Sequence, residues 1–392
     1  MPDIKVVIGS NFGDEGKGLF VHKFAYEAKL KNQKCIVVMS NGGAQRGHTV
    51  DLSQGVSHIF KHFGSGTFDN ADTYFSHYFI LNPMEFVEEY NNLVSDYKII
   101  PTVYCSGYCQ FTTPFDMIIN QIVTQDEHSS CGMGIWETVA RYAINKEFSQ
   151  YFYAFASSTR EEQKAYIINL RDNYFIDRLK NNYHINEIPD KWKDIYYSDT
   201  LIEHYLDDVT FMKNHISDWR FPYQNYDVVI FENGQGLLLD GDNKFYGEHF
   251  TTPSHTGCIN SYKILKDCYL KENENIELCY VSRSYMTRHG DGRFETECDK
   301  NLINPNMCDV HNITNEFQGA LRYGQLNTDG LIERINNDSK IFYKDFNNVK
   351  TSVGITHMNE FELDISKLKT NGTIYTSYSP FITEKKIGVE KI

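Results

Sequence analysis

Short stretches of this chain bring together residue types that could do chemistry. The first is Gly13-Asp14-Glu15-Gly16-Lys17-Gly18, reached from the apolar run Ile4-Lys5-Val6-Val7-Ile8 and followed by a helical pattern from about Leu19 to Leu30. Strand, glycine turn and helix in that order present backbone N–H groups and a helix N-terminus to an anion. We read the stretch as a phosphate-binding loop in which Lys17 neutralises phosphate charge. It differs from the common P-loop, because Gly18 rather than Ser or Thr follows Lys17 and two carboxylates sit inside the turn. Asp14 could ligate Mg²⁺, take a proton from a substrate, or do both. A second stretch, Asn41 to Val50, sets His48 on a glycine turn after a strand, a natural place for a catalytic group at the carboxyl edge of a parallel sheet. A third, Asn233-Gly234-Gln235-Gly236, sets an amide at another strand end, where it can donate to a developing oxyanion. Two glycines beside Arg288, in Tyr280 to Phe294, support a ligand role over a plain turn. Ser129-Ser130-Cys131-Gly132-Met133-Gly134 suits a phosphate-cradling turn, although as a bare pattern it is weak and an ordinary loop accounts for it better.

The elements that must position these groups are legible as apolar runs. Lys34 to Ser40 and Tyr226 to Glu232 read as buried strands with β-branched centres. Asn82 is a candidate N-cap with Pro83 at the first helical position, and Phe86 to Leu93 carries an amphipathic pattern. Val103 to Thr113 receives no assignment. Residues 145–220 alternate acidic and basic groups without glycine turns and read as an inserted helical subdomain that walls the site. The expected fold is α/β, P-loop-like, with a mixed, mostly parallel central sheet flanked by helices, in one domain over residues 1–392.

Composition limits the function classes. With 41% apolar and 23% charged residues, the chain has the balance of a globular protein, and no segment approaches the roughly 18 apolar residues of a membrane span. The N-terminus enters a strand directly, without a visible leader, so a cytoplasmic protein is expected. A net charge of −14 argues against nucleic acid as a partner, while small anionic ligands in a local basic pocket remain open. The 9 cysteines form no C-x-x-C pair and read as reduced thiols. Abundant Asn, Lys, Ile and Tyr suggest an AT-rich genome, a hint toward a phage or an AT-rich bacterium.

The string G-D-E-G-K-G resembles the N-terminal loop of adenylosuccinate synthetases, G-x-Q-W-G-D-E-G-K-G. The stretch at His48 resembles that family's G-G-x-N-A-G-H-T, and Phe231-Glu232-Asn233-Gly234-Gln235-Gly236 with Leu238-Leu239-Asp240 resembles F-E-G-A-Q-G-x-L-L-D. The resemblance runs from residue 4 to about 384. It implies a ligase that joins L-aspartate to a 6-oxopurine nucleotide at the expense of a nucleoside triphosphate, with Mg²⁺ and as a homodimer. Asp14 is then the base and a Mg²⁺ ligand, His48 the general acid, Gln235 the oxyanion donor, and Lys17 the phosphate cation beside Gly13, Glu15, Gly16 and Gly18. The Gly47 carbonyl helps hold Mg²⁺. Ser130 and Cys131 fall where the family grips phosphate with two threonines, and Met133 where it has arginine. By the same resemblance Arg141 reaches a nucleotide across a dimer interface, Thr251 binds the 5′-phosphate, and Arg288 lies in the strand and glycine loop under the ribose.

Departures from the family pattern bear on the substrates. The aspartate loop N-E-F-G-A-T-T-G-R-R-R-R-T-G-W-L-D becomes Asn315 to Asn327, four residues shorter, with Gln318, Gly319 and the single arginine Arg322 left to meet aspartate. With fewer donors waiting for a 2′-hydroxyl, deoxyribose should be tolerated better. The guanine reader T-K-x-D becomes Thr356-His357-Met358-Asn359, and an amide cannot accept both guanine protons, so ATP or dATP is expected as donor in preference to GTP. Ser379 and Pro380 stand in the last nucleotide motif, which lacks its arginine. Together these features resemble the phage-type 2-aminoadenylosuccinate synthases, which act on dGMP instead of IMP; dGMP, GMP or IMP is the expected nucleotide partner. Retention of Asp14 opposes that branch, whose best-known members carry a small residue there. A catalytically dead nucleotide-binding protein is the rival of another class, set against the joint presence of Asp14, Lys17, His48 and Gln235.

Overall fold

The run Ile4 to Ile8 forms strand β1 (Asp3–Gly9) near the middle of a 12-stranded sheet in this computed structural model. The structure describes residues 2–124, 130–144, 146–246, 250–268, 270, 272–307, 320–382 and 387–391. The remaining strands of the sheet are β2 (Cys35–Met39), β3 (His48–Ser53), β4 (Val56–Phe60), β5 (Asp72–Phe75), β6 (Val103–Cys105), β7 (Ile216–Asp218), β8 (Val228–Glu232), β9 (Ile276–Arg283), β12 (Val349–Thr356), β13 (Ile374–Ile382) and β14 (Ile387–Lys391). Strands β10 (Met286–Arg288) and β11 (Arg322–Gly324) form a separate antiparallel pair. The order in the large sheet is β4-β3-β13-β12-β9-β1-β8-β2-β5-β6-β7, with β14 beside β13. From β13 through β7 every pairing is parallel, and the antiparallel pairs β3–β4 and β13–β14 lie toward one edge. The mostly parallel α/β sheet read from the sequence is thus the observed one.

Successive side chains of a strand point to opposite faces, so β1 feeds two cores. Val7 joins one apolar cluster, while Ile4, Val6 and Ile8 join the other. Because helices cover both faces, the central strands carry near-continuous apolar runs instead of alternation.

Helix α1 (Lys17–Leu30) starts two residues earlier than the periodicity suggests, with Gly16 at φ 92° as its cap. Its Phe20 ring lies against Gly354 of β12, where a Cβ would stand 2.3 Å from the ring. In helix α2 (Pro83–Tyr97) the Asn82 side chain accepts from Met84 N and Glu85 N, the cap expected from the sequence. The unassigned stretch 103–113 forms β6 and turns that lead into α3 (Pro114–Thr124) and then α4 (Ile135–Ile144).

The polar stretch beyond residue 145 is helical: α5 (Phe152–Ser157), α6 (Arg160–Asn169), a π turn over Leu170–Phe175, α7 (Ile176–Tyr183), α8 (Asp190–Tyr196) and α9 (Asp199–His215). Thr159 and Glu162 close a capping box at α6. Buried Ile167, Leu170, Phe175, Leu206 and Met212 merge with the core of the main sheet, and the chain returns through β7 at the sheet's far edge. The expectation that this segment walls the site does not hold. Among the described residues, none between 137 and 234 lines the cleft, because the helices spend their apolar faces on the core. The described cysteines are all free thiols, as expected; Cys308 lies outside the described residues.

Candidate active site

Parallel strands share one carboxyl edge, and the loops leaving β1, β2, β8, β9 and β12 meet there. They border a cleft of about 730 Å³. The turn after β1 is built around Glu15, whose buried carboxylate accepts from Asn11 N at 2.7 Å, Gly13 N at 3.1 Å and Lys17 Nζ at 3.1 Å. The loop's anion-seeking amides are thereby organised by the chain's own carboxylate. Glu15 is 2% exposed and acts as an internal strut, and Lys17 spends one of its three N–H donors on it. Gly9 is required beneath it, since a Cβ would stand 2.3 Å from Glu15 Oε2 and 2.5 Å from the Gln235 carbonyl oxygen.

Tethers from two other strands and a helix hold this loop. Arg283 Nε, at the end of β9, donates to the Asp14 carbonyl at 2.5 Å, Thr356 Oγ1 donates to the Glu15 carbonyl at 2.8 Å, and Arg334 Nε donates to the Ser10 carbonyl at 3.1 Å. The Asp14 carboxylate remains partly exposed in the cleft, with His289 Nε2 3.5 Å from its Oδ2. Asp14, Gln235 and His357 all line the cleft with left-handed backbone, φ 57°, 54° and 60°. Positive φ at a non-glycine residue costs about 1–3 kcal/mol and gathers where function over-determines the geometry.

His48 opens β3, and its Nδ1 lies 2.5 Å from Oε1 of Glu232, the last residue of β8. Glu232 is fully buried and also accepts from Ser65 N at 2.9 Å and from the Ser65 hydroxyl. Burial alone would raise its carboxyl, but the Arg46 guanidinium and the His48 and Ser65 hydrogen bonds outweigh burial and hold it at about 2. Burial, with the Arg46 and Lys17 charges, pulls His48 down to about 4 against the pull of Glu232. Near neutral pH the pair is therefore a carboxylate and a neutral imidazole that donates from Nδ1. Gln235 projects beside them, with its buried Oε1 lacking a protein partner. Asn41 pins the turn beneath by exchanging hydrogen bonds with Gly234 at 2.7 and 3.2 Å.

Gly13, Gly16, Gly18, Gly47, Ser130, Cys131, Thr251, Arg288, Thr356, Asn359, Ser379 and Pro380 line the same cleft, as their motifs suggest. The Ser130 hydroxyl bonds Asn120 Oδ1 at 2.9 Å and accepts from Gly132 N at 3.2 Å, which makes the 130–134 stretch a built turn. The Arg288 guanidinium packs on the Phe12 ring at 4.6 Å. Burial and the Arg322 charge lower it to about 10, and its buried Nε lacks a partner.

Two expected ligand residues stand elsewhere. Arg141 is fully buried, bonded to Asp116 at 2.9 and 3.2 Å and to the Phe111 and Phe148 carbonyls at 2.7 and 2.9 Å, so it reaches neither the cleft nor a surface where a partner could meet it. Arg322 does not line the cleft; it pairs with Glu297 and donates to the Gly290 and Gly292 carbonyls at 3.1 and 2.8 Å, shaping the loop after Arg288. Gln318 and Gly319 lie outside the described residues. Sequence reasoning missed Glu232, Arg46 and His289; the only signal was their place beside motif residues.

For Mg²⁺ the available donors are a partly exposed Asp14 carboxylate oxygen and the exposed Gly47 carbonyl. Among the described residues no cluster of three His, Cys, Asp or Glu forms at this spot. That sparse oxygen set suits a hard cation completed by substrate phosphates and water.

Sheet edge and cleft define an α/β protein with a glycine loop, a carboxylate, an imidazole and an amide converging on one pocket. A family model described as Adenylosuccinate synthetase matches residues 6–321, and the chain belongs to that family. The adenylosuccinate synthetase of Malacoplasma penetrans (strain HF-2) is 24% identical over 314 residues, covering 76% of this chain and 66% of its own length. That of Buchnera aphidicola subsp. Baizongia pistaciae (strain Bp) is 27% identical over 314 residues, covering 74% of this chain and 65% of its own. The chain thus spans slightly less than two thirds of these relatives. Fully ligated adenylosuccinate synthetase from Plasmodium falciparum shares the fold with a TM-score of 0.64 at 20% identity, over 100% of this chain and 87% of that one. Cyanophage S-2L succinoaminodeoxyadenylate synthetase (PurZ), bound to dGMP and dATP as an energy donor, does so with 0.62 at 12% identity, over 100% and 95%. No helix among the described residues is long and apolar enough to cross a membrane.

Proposed function

We propose that this protein joins L-aspartate to the 6-position of a 6-oxopurine nucleotide, driven by a nucleoside triphosphate, with dGMP as acceptor and ATP or dATP as donor. The observation that carries the reading is the convergence of Asp14, the Glu232-held His48 and Gln235 beside the phosphate loop. In the first step Asp14 takes the N1 proton and the 6-oxygen attacks the γ-phosphorus, whose bond to the leaving nucleoside diphosphate breaks. Gln235 donates to the charge developing on that oxygen. In the second step the aspartate amino nitrogen bonds to C6 and the C6–O bond breaks; His48 gives its proton to the departing phosphate, and the proton shed by the amine passes to water. With substrate absent His48 is neutral; a phosphoryl dianion beside it supplies the opposite charge that favours the imidazolium. Bound by Asp14 and the Gly47 carbonyl, Mg²⁺ would neutralise phosphate charge.

The dGMP assignment is supported by the single arginine of the shortened aspartate loop, engaged with Glu297, and the ATP or dATP donor by Asn359, where a guanine-reading carboxylate would stand. IMP is the second reading, favoured by retention of Asp14 and by the relatives' name. Aspartate-dependent phosphate release, measured with IMP, GMP and dGMP against ATP and GTP, tests both. The dGMP–ATP pair is expected to be fastest. Faster turnover of IMP would overturn the acceptor assignment, and no aspartate dependence with any pair would overturn the ligase reading.

A further inference from the structure

Arg46 lies on the turn after β2 with a fully buried side chain. Its Nε donates to the Lys61 carbonyl at 2.8 Å and its Nη2 to the Phe63 carbonyl at 2.9 Å, and its guanidinium lies 5.7 Å from the Phe79 ring centre. These contacts fix the plane of the group. The remaining nitrogen, Nη1, sits 3.9 Å from Glu232 Oε1 and has no hydrogen-bond partner. A buried guanidinium held by carbonyls alone would lack a counter-charge, and Glu232 supplies it, with Glu89 as a weaker second. The same Oε1 receives His48 Nδ1, and the Ser65 N–H holds Oε2. Cation, anion and imidazole therefore form one rigid row whose last member faces the cleft. In the pattern G-G-x-N-A-G-H-T an alanine occupies the place of Arg46, so the row belongs to this chain's own residues.

We propose that Arg46 is a positioning residue for His48: by fixing the Glu232 carboxylate, it holds the imidazole as the Nδ1–H tautomer with Nε2 free for the cleft. The His48 role rests on the function proposed above, but the tautomer does not, and the two are tested separately. Side-chain ¹⁵N spectra, with the His48 signals assigned by their loss in His48→Gln, should show the Nδ1–H tautomer in the wild type and a shift toward Nε2–H in Arg46→Met. An unchanged tautomer in folded Arg46→Met would overturn the proposal.

In the aspartate-dependent assay, Arg46→Met should lower kcat roughly 10- to 100-fold with the nucleotide KM changed less than about 3-fold, and Arg46→Lys should recover part of the loss. Because Arg46 acts through Glu232, the double variant Arg46→Met/Glu232→Gln should be within about 3-fold of Glu232→Gln alone. Additive losses would overturn the proposal. If Arg46→Met fails to fold, the double variant, which buries no unpaired charge, takes its place in the same comparison with Glu232→Gln. Absence of turnover in the wild type would count against the proposed function, and the tautomer spectra would still decide the role of Arg46.

Discussion

Asp14 combines a partly exposed carboxylate with left-handed backbone, and the two facts constrain how its role can be probed. An alanine there would add strain at φ 57° and confuse loss of chemistry with loss of loop shape. Asparagine tolerates that region and keeps the side chain's outline while removing the charge. Asp14→Asn is expected to lower kcat by about 10²–10⁴-fold, the usual worth of a positioned base, with thermal stability unchanged. Near wild-type turnover in this variant would remove Asp14 from the proton-transfer role. The His48–Glu232 pair follows the same logic at the other end of the pocket, where burial and neighbouring charges set which partner carries the proton.

Between residue and fold, the turn at 61–63 joins α2 to the site. Glu89 of α2 accepts from Lys61 N at 3.0 Å and His62 N at 2.6 Å, and the carbonyls of the same turn hold Arg46. His62 Nε2 accepts from Asn82 N, at the α2 cap, at 2.9 Å, which requires a neutral ring. Burial, with the Arg46 and Lys61 charges, lowers His62 to about 3. A histidine whose folded value is depressed contributes its full stability above its ordinary value near 6.5 and loses it as pH falls toward 3, because the unfolded chain binds the proton first. Between pH 7 and 4.5 this contribution should fall by about 2–3 kcal/mol. Urea unfolding at both values should show His62→Gln losing that much less than the wild type. Equal losses in the two proteins would show that His62 titrates normally.

At the scale of the whole molecule, the helical segment serves the core and leaves the cleft lining to other elements. Helices α5 to α9 bury their apolar faces in the main core and contribute nothing to the cleft lining among the described residues. Leu206→Ala in α9 removes a fully buried side chain and should cost about 2–5 kcal/mol, read as a lower urea midpoint. The nucleotide KM should stay within about 2-fold of the wild type, since sites more than 7–10 Å apart with no shared partners act independently. A large rise in KM with little loss of stability would show that this segment shapes the pocket after all.

Local patterns determined much of this protein. The β-branched runs that became β1, β2 and β8, the glycine turns that follow them, the Asn82–Pro83 helix start and the strand–turn–helix order at residues 4–30 were all legible, because strand period, turn conformation and capping depend on neighbouring residues alone. Most motif residues reached one cleft because parallel strands place successive loops on a single edge. Long-range pairing was decided only by the tertiary structure. His48 meets Glu232 across 184 positions, and no period or spacing in either segment specifies that contact. Arg141 and Arg322 carry the residue type of a ligand, yet Asp116 and Glu297 claim their guanidinium groups. The helices beyond residue 145 are amphipathic wherever they dock, so the sheet edge that received them, and with it their distance from the site, followed from which apolar surface remained uncovered.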